Sequence, residues 1–192
     1  MRRMIIAIPI ILFIGQLPCQ FAPAQVASGE SKRGEMNIVL QESEITGIKI
    51  DKTKMKPWWK GTDAKGKPDE TKGVEQYTTF QSVQALILYA EFESAEEAHQ
   101  AAEFYSKNMA SIFQAGLWSG AGQKTIGDES WYAQDATATA LLVRSGRTCV
   151  LISCHDGDAK KRNHVAEMIG KRIEGKVKLG GRVIVPSDRQ KD

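Results

Sequence analysis

Cysteine and histidine are scarce in this sequence, with three of each among 192 residues. The one cluster that mixes them is Cys154 and His155, followed by Asp156, Asp158 and His164. Its spacing matches none of the usual zinc patterns, and aspartate is a residue type that caps the helix predicted next. We therefore predict no metal site and no cofactor in this chain.

Catalytic motifs are also missing. No G-x-S-x-G elbow surrounds Ser130, and the glycines between residues 116 and 127 lack phosphate-loop spacing. Asp128 and Glu129 are neighbours on a predicted strand, so they point to opposite faces and make a poor acid–base pair. Cys154 follows an apolar run, which predicts a buried rather than a reactive thiol. These absences favour a protein that is not an enzyme.

The first 24 residues have the organisation of a secretory signal peptide. Arg2 and Arg3 give a positive start, and an unbroken apolar run follows from residue 4 to residue 15. The small residues that a signal peptidase reads end at Ala24, which places the predicted cleavage between Ala24 and Gln25. The sequence therefore predicts an N-terminal signal helix and an exported protein, in the periplasm or outside the cell.

Two other fates of this N-terminus stay open. The apolar run is about a dozen residues long, whereas a helix that spans a bilayer needs roughly 20, so an uncleaved membrane anchor is the less favoured alternative. Cys19 could carry a lipid, although Pro18 stands where a small residue is expected at such a site. In each case the predicted membrane contact comes only through this segment.

The remaining chain is long enough for one domain with a core of its own. We predict a flexible leader at residues 25–35, a single domain at residues 36–186 and a polar tail at residues 187–192. Without Arg2 and Arg3 the chain has 24 basic and 23 acidic residues, so the net charge falls from +3 to +1. So small an excess gives no argument for binding nucleic acid.

Hydrophobic periodicity indicates paired strands that alternate with helices. Residues 83–92 are apolar on both alternating sets, which is typical of a strand covered on both faces. Ser94 and Glu97 form a capping box at the start of a helix. The other predicted elements are strands at 74–80, 131–134, 138–143 and 148–154, and a helix at about 158–174 that Gly175 ends. This ββα–ββα order predicts an α+β fold, with an antiparallel sheet of about five to seven strands and two main helices packed on it.

Cys149 and Cys154 remain after the predicted cleavage, and an even number of cysteines in an exported protein suggests a disulfide. Both residues lie in one predicted strand, five positions apart. Five residues of strand span roughly 16 Å, and an odd spacing points the side chains to opposite faces. A disulfide needs Cα atoms within about 7 Å. We therefore predict two free, buried thiols.

Three stretches between residues 74 and 175 resemble parts of small exported bacterial domains. They are FESAEEA at 92–98, IGDES at 126–130 and LVRSGR at 142–147. Together they are similar to sensor-like and PsbP/Mog1-like extracytoplasmic modules. The resemblance implies an α+β fold and a binding or accessory role, and it implies no catalytic residue because its motifs are a capped helix, a turn and a hairpin.

Residues 51–73 are rich in lysine and interrupted by glycine and proline, which predicts an exposed loop. Trp58 and Trp59 stand in its middle, flanked by Lys56 and Lys60. Exposed aromatic side chains beside cations suit an anionic partner, a sugar polymer or a membrane interface. The alternative is that one or both tryptophans fold back and cover the edge of the sheet.

The function predicted from these observations is a non-enzymatic binding or accessory module at the cell envelope. Its expected contact surface is the loop with Trp58, Trp59, Lys56 and Lys60, and its partner is an envelope protein or ligand that the sequence does not name. An envelope enzyme of unrecognised type and a purely structural envelope protein are the alternatives. The sequence leaves the oligomeric state open.

Overall fold

The computed structural model describes residues 36–62, 68–112, 119–123 and 126–184, all within the unit Lys32–Asp192. The predicted signal helix, leader and tail lie outside these residues, as do Cys19 and the cleavage site between Ala24 and Gln25. Among the described residues, no helix is long and apolar enough to cross a membrane.

The described elements are nine strands and two long helices, after a short 3-10 turn at Glu42–Glu44. In chain order they are β1 (Ile48–Met55), β2 (Trp58–Thr62), β3 (Pro68–Thr71), β4 (Gly73–Phe80), β5 (Val83–Glu91), α1 (Ala95–Ile112), β6 (Ser119–Gln123), β7 (Glu129–Gln134), β8 (Ala138–Ser145), β9 (Thr148–His155) and α2 (Ala159–Lys178). Seven of the strands form one antiparallel sheet in the order β1-β4-β5-β9-β8-β7-β6. This arrangement confirms the predicted α+β class, the strand number and the two packed helices.

The central strands bury side chains on both faces of the sheet. In β5, Ile87 and Tyr89 join the core beneath α2, whereas Leu88 and Ala90 join the core beneath α1. We call these the α2 face and the α1 face. The apolar character of both alternating sets in β5 is explained by this two-sided cover, since neighbouring residues of a strand point to opposite faces.

α2 begins at Asp158, whose side chain accepts a hydrogen bond from the Lys161 backbone N–H at 2.8 Å. Its buried stripe includes Val165, Ile169 and Ile173. The prediction that Gly175 ends this helix is wrong, because α2 continues to Lys178.

The reason for the extension is a buried lysine. Lys176 lies 2.8 Å from a carboxylate oxygen of Glu44 and donates a hydrogen bond to the Val39 carbonyl at 3.1 Å. A glycine inside a helix costs about 1 kcal/mol relative to alanine, and these contacts offset that cost.

α1 begins as predicted, with the Ser94 hydroxyl accepting from the Glu97 backbone N–H at 3.1 Å. Its inner surface is a stripe of small residues, Ala98, Ala101 and Ala102, all fully buried against the sheet. Small side chains let the helix axis approach the strands closely, so this helix covers the sheet without large apolar residues at its N-terminal half.

The two cysteines are free, and their predicted placement is confirmed. Cys149 joins the core of the α1 face and Cys154 joins the core of the α2 face. Burial raises the pKa of each thiol to about 12, so neither thiol supplies a thiolate at neutral pH.

The described parts of the segment predicted as an exposed loop, residues 51–62 and 68–73, are mostly strands. β1 lies at one edge of the sheet, and β2 pairs with β3 in a separate hairpin. Lysine-rich composition correctly indicated a stretch that buries little, but an edge strand needs little burial, and lysines protect such an edge from unwanted pairing. The glycine-rich stretch between residues 116 and 127 contains the strand β6 at the opposite edge.

Trp58, at the start of β2, is buried, with 1% of its surface exposed. Its ring centroid lies 4.6 Å from that of Tyr105 on α1, and Leu88 belongs to the same cluster. A Cβ atom at Gly73 would stand 2.7 Å from the Trp58 ring, so the close approach requires glycine there. Trp58 thus fastens the β2–β3 hairpin to α1 and to the sheet.

Replacing Trp58 by alanine should lower the free energy of unfolding by about 3–5 kcal/mol, because it empties a large buried site. Urea unfolding at neutral pH measures the change. The matched control is Met55→Ala, since Met55 is half exposed, and it should shift the free energy by only about 0.5 kcal/mol. Equal effects of the two substitutions would contradict the role assigned to the indole.

Candidate ligand-binding groove

α1 packs over β8, β9 and β2, and among the described residues no helix covers the neighbouring part of the α1 face. A groove of about 480 Å³ lies in this open part, over β1, β4, β5 and the end of β9. Its lining residues are Asp51, Lys52, Lys54, Tyr77, Thr78, Gln84, Ala85, Leu86 and His155. The volume falls within the range of small-molecule sites, about 300–1,000 Å³.

Strand register explains which side chains meet in the groove. Lys52 of β1 pairs with Tyr77 of β4, and Tyr77 pairs with Leu86 of β5, so these three form one row on the α1 face. Gln84 and His155 form the next row, two residues along their strands. The groove therefore has a cationic side at β1, an apolar and aromatic middle, and a polar side at β9.

Beside the groove, two lysines form ion pairs with one buried carboxylate, that of Glu75. Glu75 is 1% exposed and lies 2.7 Å from the Lys54 ammonium and 2.6 Å from the Lys56 ammonium. Burial alone would raise the pKa of Glu75, but the hydrogen bonds from the two lysines more than offset it and hold the pKa below its usual value. The carboxylate is therefore ionised at neutral pH and engages both lysines.

The remaining charges at the rim are Asp51, Lys49 and Lys52. Asp51 accepts a hydrogen bond from the Thr79 hydroxyl at 2.7 Å and lies 3.6 Å from the Lys49 ammonium. Within the described residues, no carboxylate lies at ion-pair distance from Lys52. Among the described residues, Lys52 is thus a groove-lining cation that makes no ion pair.

Ser153 and His155 form the one hydroxyl–imidazole pair beside the groove in the described part of the chain. The Ser153 Oγ lies 2.8 Å from the His155 Nε2, and both residues point to the α1 face. Ser153 is 1% exposed, so its oxygen is inaccessible to a substrate in the groove. This pair lacks the access that nucleophilic catalysis requires.

The contact surface predicted around Trp58 and Trp59 does not line this groove. Burial of Trp58 removes it from any contact surface, and the alternative in which it covers the sheet describes its position. Lys56 is half exposed and holds Glu75, at the hairpin end of the groove. The side chains of Trp59 and Lys60 lie outside the described part of the structure.

Sequence reasoning missed the groove because it took residues 51–55, the second part of β1, for a loop. Lys52 and Lys54 alternate with Thr53, and this period of two is the signal that would have placed both lysines on one face of a strand. Nothing in the sequence, however, relates these lysines to Leu86 or His155, which only strand pairing brings together.

A second polar cluster connects α1 to β7 and β8, near the edge of the sheet opposite β1. His99 Nδ1 lies 2.9 Å from the Glu129 carboxylate, and Arg144 Nε lies 2.6 Å from the same oxygen. Asp128 lies 3.3 Å from the same arginine. The expectation that Asp128 and Glu129 point to opposite faces of one strand is wrong, because Asp128 precedes β7 and both carboxylates bind Arg144.

Metal-binding geometry is not found in the described residues, where no three histidine, cysteine, aspartate or glutamate side chains come together. His164 is exposed on α2. Asp158 caps α2 instead of facing a metal.

Comparison with protein-family models, curated proteins and solved structures finds no match to this chain. The groove and its chemistry are therefore the basis for assigning a function.

The His99–Glu129 pair should make stability depend on pH. The hydrogen bond to Glu129, together with its negative charge, raises the pKa of His99 above 6.5. The protonated form is therefore stabilised by folding, fully so below about pH 6.5, and this stabilisation is lost as the pH rises through the folded-state pKa.

We expect His99→Gln to lower the thermal midpoint more at pH 5.5 than at pH 8.5. Thermal unfolding followed by circular dichroism at both pH values measures the difference. His164→Gln is the control, because His164 is exposed and makes no ion pair within the part of the chain that the structure describes. An effect of His99→Gln that is the same at both pH values would show that the charged pair contributes nothing.

Proposed function

We propose that residues 36–186 form a non-enzymatic binding module of the cell envelope, and that the groove on the α1 face holds its ligand. The observation that carries the proposal is an open, partly apolar groove whose rim presents an unpaired lysine and a histidine. A site that combines an apolar surface with a few convergent polar groups is typical of ligand binding.

The side chains around the groove support binding rather than catalysis. Ser153 is buried beneath His155, and the thiols of Cys149 and Cys154 are buried with raised pKa values. Glu75 is held by two lysines, so it is a poor proton acceptor. An envelope enzyme remains the alternative, and it would require a nucleophile or base that reaches the groove.

Export to the envelope is the second part of the proposal. It is supported by the charged start, the short apolar run and the small residues that end at Ala24. The resemblance of residues 74–175 to exported α+β modules supports the same location. A purely structural envelope protein is the further alternative, and it would have no use for the open groove.

Nuclear magnetic resonance of the ¹⁵N-labelled protein tests the binding site. A panel of small organic acids, amines and neutral sugars is titrated, and at least one compound should shift the amide resonances of Lys52, Tyr77, Leu86 and His155. Gln84→Trp should weaken that compound's binding at least tenfold, because the indole fills the groove from an exposed position.

The matched control for this substitution is Lys171→Trp, which places the same side chain on the exposed surface of α2. It should leave the affinity unchanged. If no compound shifts the groove resonances, or if both tryptophan variants bind equally well, the groove is not the binding site.

Mass spectrometry of the protein purified from bacterial cells that express it tests export. The expected chain begins at Gln25 and lies in the extracytoplasmic fraction. Ala24→Arg should block this cleavage because a large charged side chain does not fit the peptidase, whereas Ala27→Arg should permit it. A chain that begins at an acylated Cys19 would support the lipid-anchored alternative, and an unprocessed cytoplasmic chain would overturn export.

A further inference from the structure

We infer that the groove takes a small organic carboxylate with a short apolar body; this rests on the proposed function, since it specifies the ligand of the same groove. The inference combines three observations: on one side a lysine that makes no ion pair among the described residues, in the middle an apolar floor, and on the other side an imidazole whose Nε2 lies 2.8 Å from the Ser153 hydroxyl.

Charge complementarity points to an anion. Four lysines of this region, Lys49, Lys52, Lys54 and Lys56, stand beside three carboxylates: Asp51, Glu75 and Glu42, which accepts a hydrogen bond from the Ile50 N–H of β1. The excess is one positive charge. Of the four lysines, Lys52 is the one that both lines the groove and makes no ion pair within the described residues. An anionic group bound there gains a partner without breaking an existing ion pair.

The apolar floor of the groove favours a ligand with a hydrocarbon body. Leu86 is partly buried against the core of the α1 face, and its remaining surface lines the groove beside the Tyr77 ring. Burial of apolar surface contributes roughly 25 cal/mol per Å², so a hydrocarbon segment on this floor adds affinity that an inorganic anion does not gain.

On the side of the groove opposite Lys52, the buried Ser153 hydroxyl is the hydrogen-bond partner of the His155 imidazole. A buried hydroxyl needs a hydrogen-bond partner, and the His155 Nε2 lies 2.8 Å away. When the hydroxyl donates to Nε2, the neutral imidazole carries its proton on Nδ1. His155 then offers an N–H donor to a ligand oxygen, and Ser153 acts as a positioning residue that selects this tautomer.

Adjacent strands lie about 4.8 Å apart, so the strands of Lys52 and His155 are roughly 14 Å apart across β1, β4, β5 and β9. His155 also lies one row further along its strand, which adds an offset of roughly 7 Å. The floor between them suits a molecule of a few carbon atoms whose single carboxylate binds Lys52 and whose hydrocarbon body lies on Leu86 and Tyr77. A second polar group on a longer ligand would lie beside His155 or Gln84, but the minimal ligand needs only the carboxylate and the apolar body.

The test compares hexanoate, hexanamide and inorganic phosphate by nuclear magnetic resonance titration of the same ¹⁵N-labelled protein. Hexanoate should bind with a Kd on the order of 1 mM, a modest value for so small a ligand. Hexanamide, which has the same body without the charge, and phosphate, which has charge without the body, should each bind at least fivefold more weakly.

Lys52→Gln should weaken hexanoate binding at least fivefold, and Lys171→Gln on the opposite side of the molecule should have no effect. Equal binding of hexanamide would overturn the carboxylate inference and leave the groove's binding function standing. Preferred binding of phosphate would overturn it in favour of an inorganic anion. If hexanoate shifts nothing, the inference fails, and the proposed function fails with it only when the wider panel of compounds also shifts nothing.

The role of Ser153 has a readout that does not depend on a ligand. Imidazole ¹⁵N chemical shifts near pH 8 should show His155 protonated on Nδ1, and Ser153→Ala should increase the share of the Nε2-protonated form. Ser153→Thr, which keeps the hydroxyl, should restore the Nδ1 form. A tautomer that is the same in all three proteins would overturn the positioning role.

Discussion

Two-sided burial of the central strands is the constraint on which the rest of this structure depends. β5, β8 and β9 present apolar side chains in both directions, so each face of the sheet must be covered. α2 covers one face with the branched residues Val165, Ile169 and Ile173. α1 covers the other with alanines, and this thin layer is completed by Trp58 from the β2–β3 hairpin.

The groove is a consequence of this unequal cover. α1 packs over β8 and β9, whereas β1 and β4 carry mainly lysine, threonine and tyrosine on the same face and need no cover. The boundary lies at Leu86, which is partly buried against the α1 core and partly open to the groove. A groove therefore forms where apolar strands meet a charged edge strand, with Glu75 and its two lysines holding that edge in place.

The sequence predicted those elements whose periodicity is strong and local. β5 was predicted from its two apolar sets, the start of α1 from Ser94 and Glu97, and the separation of Cys149 from Cys154 from their odd spacing. The prediction failed where tertiary contacts outweigh local preference. Lysines in β1 are tolerated because it is an edge, and Gly175 is kept within α2 by the contacts of Lys176.

The sequence by itself determined the class of fold, the helix starts and the burial of both thiols, because these follow from side-chain period and from residues that are neighbours in the chain. Only the tertiary structure decided that Trp58 is buried and that Lys52, Leu86 and His155 share one groove. These residues come together through the pairing of β1, β4, β5 and β9, and strand order is set by long-range packing that no local pattern encodes.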